Sequence, residues 1–516
     1  MIDIAIVGGG LSGLLLARKL VAAGQEVRLY EARPRLGGRI LTVTEPETGL
    51  AVDLGPSWFW PATQPLMADL VAELGLPVFA QHDSGEVLAL EDPEQGPQPR
   101  GPGPIHDGAR RIEGGLGRLV ATLAGRLPAG VVATGLALVR AEDRGDHVRL
   151  SFRGDAGETV VPARRVVLAV PPRLLAAQVA FHPALPAPVT AAMAATGTWM
   201  AAEAKAALAC RDAGWRRRGL SGDAFVAHER AVLAEVFDQS APGGAPGGLG
   251  GFLALDPATR ARFGTGLPML IVNQIDQIFG EIRDRGPVLY QDWAAEPFTA
   301  AALDLADPAR GRRAAANPVL RRALWEGRLH LSGTETAPAH NGHMEGAALS
   351  AERLARVLAR PHRPGDPAGG LGDFADWLDT RPPEVFEGYR AALHRRLSRQ
   401  DSDRPTRRAA QDCLAAFFDE ALAVLAGLGF PEEDTASPDG RAAITRPLKA
   451  LTRDFLNRLI GEIVAFNRSS CALRNFPEEH AMREPYLREV LADASGLGRD
   501  FLIEADLILA SRAEAA

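Results

Sequence analysis

Cysteine is scarce in this chain: Cys210, Cys413 and Cys471 are the only three among 516 residues. They lie too far apart for a metal knuckle or a CxxC redox pair, and an odd number argues against a disulfide framework, so they read as buried thiols. No Glu-x-x-His pair occurs, which removes the carboxylate-bridged metal centre that helical bundles can build, and no metal is expected. Long apolar runs are also missing; none approaches the roughly 18 residues needed to cross a bilayer. The apolar N-terminal segment is broken by glycines, Arg18 and Lys19, and it lacks the charged flank and cleavage site of a secretion signal. A cytoplasmic location with no membrane partner is therefore expected. Basic runs are absent apart from Arg216, Arg217 and Arg218, and the net charge is -7, so nucleic acid is not an expected partner.

What the chain does have is a globular composition, 46% hydrophobic and 23% charged, enough to fill two or three domains. Ile2, Ile4, Ile6 and Val7 form an apolar strand, Leu14 to Leu20 a helix ending near Gly24, and Val27 to Tyr30 a second strand, which together make a βαβ unit. The turn between strand and helix is GGGLSG, with Gly8, Gly10 and Gly13 spaced to let a pyrophosphate approach the helix N-terminus. Leu11 and Ser12 complete that turn. Glu31 ends the second strand about 20 residues on, where a carboxylate can accept hydrogen bonds from a ribose. The set predicts dinucleotide binding without distinguishing FAD from NAD.

Further on, a helix is predicted around Leu119 to Leu127, alternating strands over Val131 to Arg140 and Val148 to Phe152, and a buried strand over Arg165 to Val170. Segments 91 to 105 and 241 to 251, rich in Gly and Pro, read as exposed loops, and 361 to 372 as a linker. Beyond it, Leu414, Phe417, Phe418, Ala421, Leu425 and then Leu448, Leu451, Phe455, Leu459, Ile463 recur at helical spacing, which predicts a bundle of four or five helices.

The continuation EARPRLGGRI, holding Ala32, Arg33, Gly37, Gly38 and Arg39, resembles the flavin amine oxidase family, in which a second glycine turn and its arginine contact the FAD phosphates. The segment LHLSGTETAPAHNGHMEGAALSAERLARVL, residues 329 to 358, is similar to that family's C-terminal flavin motif. Gly333, Thr334, Glu335 and Thr336 match its first half, and Gly342, Met344, Glu345, Gly346 and Ala347 its second. The likeness implies a helix starting near Met344 whose amino end faces the flavin pyrimidine ring, where its N–H groups meet the negative charge of the reduced ring. RIEGGLGRLVATLA, the strand with Leu136, and VVLAVPPRLL resemble the stretch that brings a backbone group to the adenine. QDWAAEPFTAAALD resembles the segment leading to the flavin face, with Trp293 at the family's tryptophan. In WMAAEAKAALACRDAGWRRRGLSG, Lys205, Trp215 and residues 219–222 keep the spacing of the family segment whose lysine reaches a water beside flavin N5. Alanine-rich composition favours a helix here, with Lys205 on its surface, whereas the family segment is a strand.

The resemblance implies an α/β fold: a Rossmann-like FAD-binding domain of the FAD/NAD(P)-binding type over 1–60, 108–175 and 290–360, and a smaller α+β substrate domain over 61–107 and 176–289. A helical domain over 373–516 follows the linker. The function implied is an FAD-dependent oxidation of an amine or amino-acid-like substrate to an imine, with dioxygen reduced to hydrogen peroxide. Lys205, Trp293 and His343 are the expected catalytic residues. Many monoamine oxidases attach their flavin through a cysteine and cage the amine between two tyrosines; the matching positions here are Ala302, and Leu303 with His343. FAD should therefore be held non-covalently, and His343 either replaces one cage wall or is satisfied by a neighbouring carbonyl. With only four tyrosines in the chain, no other cage is legible. Only about 50 residues separate the WFWP at 58–61 from Arg111, a small lid, so the C-terminal helices are expected to cover the substrate entrance or to form an oligomer interface. Two rival readings use the same fold: a flavin dehydrogenase or desaturase, and a redox-sensing FAD protein with a partner-binding helical module.

Overall fold

The computed structural model describes residues 1–306, 317–325, 327–358, 371–398, 404–428, 430, 435, 437–470, 473 and 476–513. It divides into two compact units, Met1–Glu352 and Arg353–Ala516. The division falls within the helix Met344–Leu358; of the expected linker only residues 371 and 372 are described, and they open a helix.

The first unit is α/β and holds two large sheets. In one, the strand Ile2–Val7 lies between Gly157–Leu168 and Val27–Tyr30, parallel to both, and Val132–Ala133 continues the parallel set. Ile4, Ala5 and Ile6 are all buried, as an uninterrupted apolar strand in a parallel sheet covered on both faces must be. The helix Leu11–Ala22 follows at once and buries Leu11, Leu14, Leu15, Leu16 and Leu20. Late in the unit, Leu329–Leu331 returns to pair in parallel with Gly157–Leu168, bringing residues 332–344 to the same edge as the glycine turn.

The second sheet runs Arg285–Asp292, Ala204–Cys210, Gly247–Leu253, Leu233–Asp238, Leu220–Val226, Glu86–Leu90, Gln98–Pro102. The alanine-rich segment around Lys205 is thus a strand, and every residue of it is buried. Helix propensity loses here because both faces are covered: Ala204, Ala206 and Leu208 pack with Ile271 and Ile275 of the helix Leu267–Phe279, and Ala207 and Ala209 pack with Leu50, Val52 and Leu54.

The segment 241–251 is not an exposed loop throughout, since Gly247–Leu253 is a buried strand within the sheet. Its glycines are a packing device: a Cβ on Gly248 would come within 2.5 Å of Leu50, and one on Gly250 within 2.5 Å of Gln239. The segment 91–105 likewise contains a strand, Gln98–Pro102, but a largely exposed one at the sheet edge.

The second unit is helical. Among its described residues the long helices are Pro382–Ser398, Pro405–Gly427, Pro438–Ser469 and Glu484–Ala513, with shorter ones at Leu371–Asp379 and Pro477–Ala481. Its core is aromatic: Phe417 stacks between Trp377, at 5.9 Å, and Phe455, at 4.4 Å, while Phe418 stacks on Phe501 at 5.1 Å. A buried polar knot joins Tyr389, Asn467 and Thr406 through hydrogen bonds of 2.7 Å, which satisfies these three side chains inside the bundle. No helix of the described residues is long and apolar enough to cross a membrane.

Candidate active site

A cavity of about 400 Å³ runs through the first unit from the glycine turn to the second sheet. Its floor is set by local backbone geometry. Gly8 adopts φ +108°, and a Cβ there would lie 2.4 Å from the Ala169 carbonyl oxygen, so only glycine fits. Above Gly10 a methyl would meet nothing within 4 Å, which leaves the backbone open to a ligand. The helix that follows has no side-chain cap, so its first-turn N–H groups face the cavity as an anion-binding end. The second glycine turn docks on the first: Gly37 N–H donates to the Gly9 carbonyl at 2.8 Å.

Around this floor the polar side chains hold one another in place. Glu31 is buried, its two carboxylate oxygens accepting from the Gly9 N–H at 2.6 Å and the Arg33 N–H at 2.9 Å. Arg33 is itself anchored, through Nε to Glu296 at 2.6 Å and to Thr299 Oγ1 at 2.7 Å. Arg39 pairs with buried Glu335 at 2.7 Å and donates to the Trp199 carbonyl at 3.0 Å. Ser12 and Ser332 share a hydrogen bond of 2.8 Å. Residues near both ends of the first unit are therefore tied across the cavity.

Gly8, Gly10, Leu11, Ser12, Glu31, Ala32, Arg33, Gly38, Arg39, Leu136, Gly333, Thr334, Glu335 and Met344 all line the cavity, and so do Lys205, Trp293 and His343. Gly13 does not; it sits behind the turn, where a Cβ would come within 2.0 Å of the Gly8 carbonyl oxygen. The Leu136 N–H donates to the Glu31 carbonyl at 2.9 Å and so is not open to a ligand. Ala302 and Leu303 do not line the cavity, and Leu303 is 51% exposed on the short helix Ala302–Ala306, so that position supplies no cage wall.

Lys205 is the most unusual group. Its side chain is 2% exposed, with Nζ donating to the Gly55 carbonyl at 2.9 Å and to Ser57 Oγ at 2.5 Å. Trp58, Phe237 and Phe252 surround the same atom at 5.5, 5.0 and 5.5 Å from their ring centres. Burial lowers its pKa to about 7, with Arg111 adding to the fall and Asp53 and Glu235 opposing it. At neutral pH a large fraction of this amine is unprotonated and able to take up a proton.

Trp293 is buried and oriented by its Nε1–H bond to the Leu54 carbonyl at 3.2 Å. Burial also lowers the pKa of His343, which keeps its imidazole neutral. The His343 ring lies 5.5 Å from that of Trp199, tilted by 40°. Trp199 is a lining residue that sequence reasoning missed. It stands six positions before Lys205, and the only available signal was an aromatic residue in a segment otherwise of small side chains. Trp58 and Trp60, within the WFWP segment, line the cavity as well.

The profile of the family described as flavin containing amine oxidoreductase matches residues 11–103 and 103–359. Flavin-containing amine oxidase B of Sus scrofa is 25% identical over 453 residues, covering 69% of this chain and 86% of that protein. Putrescine oxidase of Kocuria rosea is 42% identical over 88 residues, 17% of this chain and 18% of its own. Among solved structures, wild-type putrescine oxidase bound to putrescine aligns with a TM-score of 0.56 at 21% identity, covering 69% of this chain and 99% of that one. Cyclohexylamine oxidase from Brevibacterium oxydans IH-35A aligns with a TM-score of 0.56 at 18% identity, covering 69% and 98%. At these identities the structural likenesses speak to the fold.

Proposed function

This chain belongs to the flavin containing amine oxidoreductase family, and from that premise we propose how its cavity serves the FAD-dependent oxidation of an amine. The chemistry that FAD supplies when bound is a two-electron oxidation of the amine to an imine, with dioxygen as the final acceptor and hydrogen peroxide as its product.

The residues present fit that cofactor. The open backbone at Gly10 and the uncapped helix behind it suit a pyrophosphate. Glu31, fixed by two backbone donors, keeps lone pairs for ribose hydroxyls. The amino end of the helix starting at Met344 supplies N–H groups for the pyrimidine edge. No cysteine among the described residues lines the cavity, which supports non-covalent binding.

Lys205 holds the water that hydrolyses the imine and moves a proton to or from it. Nζ donates to Gly55 and Ser57, which aims the amine and leaves its third position, an N–H when charged and a lone pair when neutral, for that water. Trp293 walls the reacting face, and its bond to Leu54 keeps the indole plane from rotating. Trp199 and the neutral His343 make an aromatic flank that attracts an ammonium group on approach and tolerates the neutral amine that reacts. A primary amine with an apolar body suits these walls.

The observation that carries this reading is Lys205: a buried amine, with its pKa lowered, opening from the second sheet into a cavity floored by glycine turns of the first. Anaerobic mixing with a panel of amines should bleach the flavin spectrum. Lys205→Met should retain FAD and slow one half-reaction by about 100-fold. Unchanged rates in both half-reactions would remove Lys205 from the mechanism. The reading includes a cytoplasmic location and a homo-oligomer, to be checked by cell fractionation and light scattering.

A further inference from the structure

Behind the Trp58 wall of the cavity, three ligand-type side chains from separate parts of the chain converge. Asp83 follows the strand Val78–Ala80, His106 precedes the strand Arg110–Ile112, and Asp223 lies on the strand Leu220–Val226. Each offers one ligand atom, and these atoms lie within 4.8 Å of one another. His106 Nδ1 stands 3.5 Å from Asp83 Oδ1 and 3.9 Å from Asp223 Oδ1, with Nδ1 directed at neither closely enough for a hydrogen bond. Nδ1, Asp83 Oδ1 and both carboxylate oxygens of Asp223 have no hydrogen-bond partner, although Asp223 is only 1% exposed. A carboxylate buried that deeply needs a positive centre beside it; His106, where burial is outweighed by Asp83, Glu235 and Asp223 and the pKa rises to about 9, supplies one charge, and a divalent cation in place of its Nδ1 proton supplies a larger one.

We propose that Asp83, His106 and Asp223 bind a divalent transition cation, Zn²⁺ or Mn²⁺. Ligand atoms that each sit about 2.0–2.2 Å from one cation stand roughly 3–4 Å from each other, the spacing of the two close pairs here. The widest separation, up to 4.8 Å, must contract by about 1 Å when the ion binds. Two carboxylates balance the charge of the ion, and one imidazole with two carboxylate oxygens is a donor set suited to Zn²⁺ or Mn²⁺ rather than to soft Cu(I). His106 Nε2 faces Glu235 Oε1 at 3.7 Å, longer than a hydrogen bond, so Glu235 must move closer to receive the remaining N–H of a metal-bound His106. Asp83 Oδ2 accepts the His106 backbone N–H at 3.2 Å, which holds the two loops together around the site. The three ligands are far apart in sequence and on different elements, so no spacing rule could have found them.

The ion is a support for the cavity rather than a reactant. The His106 ring stacks on Trp58 at 4.3 Å, and Trp58 faces Lys205 Nζ, so fixing the imidazole fixes the wall beside the lysine. The test uses the flavin-loaded protein dialysed against Zn²⁺ or Mn²⁺, freed of loose metal by gel filtration, and analysed by mass spectrometry for metal per chain. About one equivalent is expected in the wild type, with at least a tenfold loss in Asp223→Asn and in His106→Gln. Asp83→Asn, at a more exposed position, provides the comparison if either of those fails to fold, as judged by circular dichroism. Zn²⁺ should also change tryptophan fluorescence in the wild type and not in the variants. Metal content in the wild type no higher than in the variants overturns the proposal. The readout is independent of amine oxidation, so its failure leaves the assignment of Lys205 untouched.

Discussion

Replacing Lys205 by Met should change how folding stability depends on pH, because the lysine is buried against its own charge. Its pKa falls from the ordinary 10.5 to about 7 in the folded protein, and a gap of that size corresponds to about 5 kcal/mol between the two protonation states. The unfolded chain binds the proton more tightly, so Lys205 penalises folding in full below pH 7, and the penalty fades as pH rises from about 7 towards 10.5. Between pH 6 and pH 9 it should shrink by about 2–3 kcal/mol. Met keeps the aliphatic stem among Trp58, Phe237 and Phe252 without the charge. Lys205→Met should therefore be more stable than wild type at pH 6, and the advantage should narrow by that amount at pH 9. Groups not coupled to Lys205, including Asp223, whose pKa burial pushes up to about 7, largely cancel in the difference, whereas Asp53, whose carboxyl Lys205 helps to keep ionised, shifts with the substitution. Urea unfolding followed by tryptophan fluorescence at several pH values measures it. A stability difference that stays flat across this range would refute the picture of a desolvated lysine.

Three further outcomes follow from other parts of the structure. Gly8→Ala must place a methyl 2.4 Å from the Ala169 carbonyl at φ +108°, a strain of about 1–3 kcal/mol before any shift of the strand, and the purified variant should have lost most of its visible flavin absorbance. Acid precipitation of the wild type should release all of its FAD to the supernatant; yellow colour remaining in the pellet would refute non-covalent binding. Phe455→Ala removes the ring stacked at 4.4 Å on Phe417 and should cost the helical unit about 3–5 kcal/mol, seen as a lower unfolding midpoint for that unit expressed alone over residues 371–513.

The cofactor-side features were legible because backbone chemistry dictates them. A glycine at φ +108° and an open approach above Gly10 leave a mark in sequence that few alternatives can imitate. The helical unit was legible for a similar reason, since the stripe of Leu414, Phe417, Ala421 and Leu425 is its buried face. The strand carrying Lys205 was not legible from composition, because its conformation is imposed by the helix Leu267–Phe279 on one side and Leu50 to Leu54 on the other. Gly247–Leu253 hid in the same way: glycines that signal a loop were there to admit Leu50 and Gln239. Trp199 and the Asp83, His106 and Asp223 cluster depend on contacts between distant segments, for which a single sequence carries no period or spacing.

The tie between the beginning and the end of the first unit has a bearing on how the protein is made. Ser12 is held by Ser332 and Arg39 by Glu335, while the strand Leu329–Leu331 completes the sheet that began with Ile2. A nascent chain still on the ribosome has the nucleotide turn early but lacks the return strand until some 330 residues have emerged. The grip on the dinucleotide thus closes late in synthesis, once Ser332 and Glu335 have emerged to meet Ser12 and Arg39.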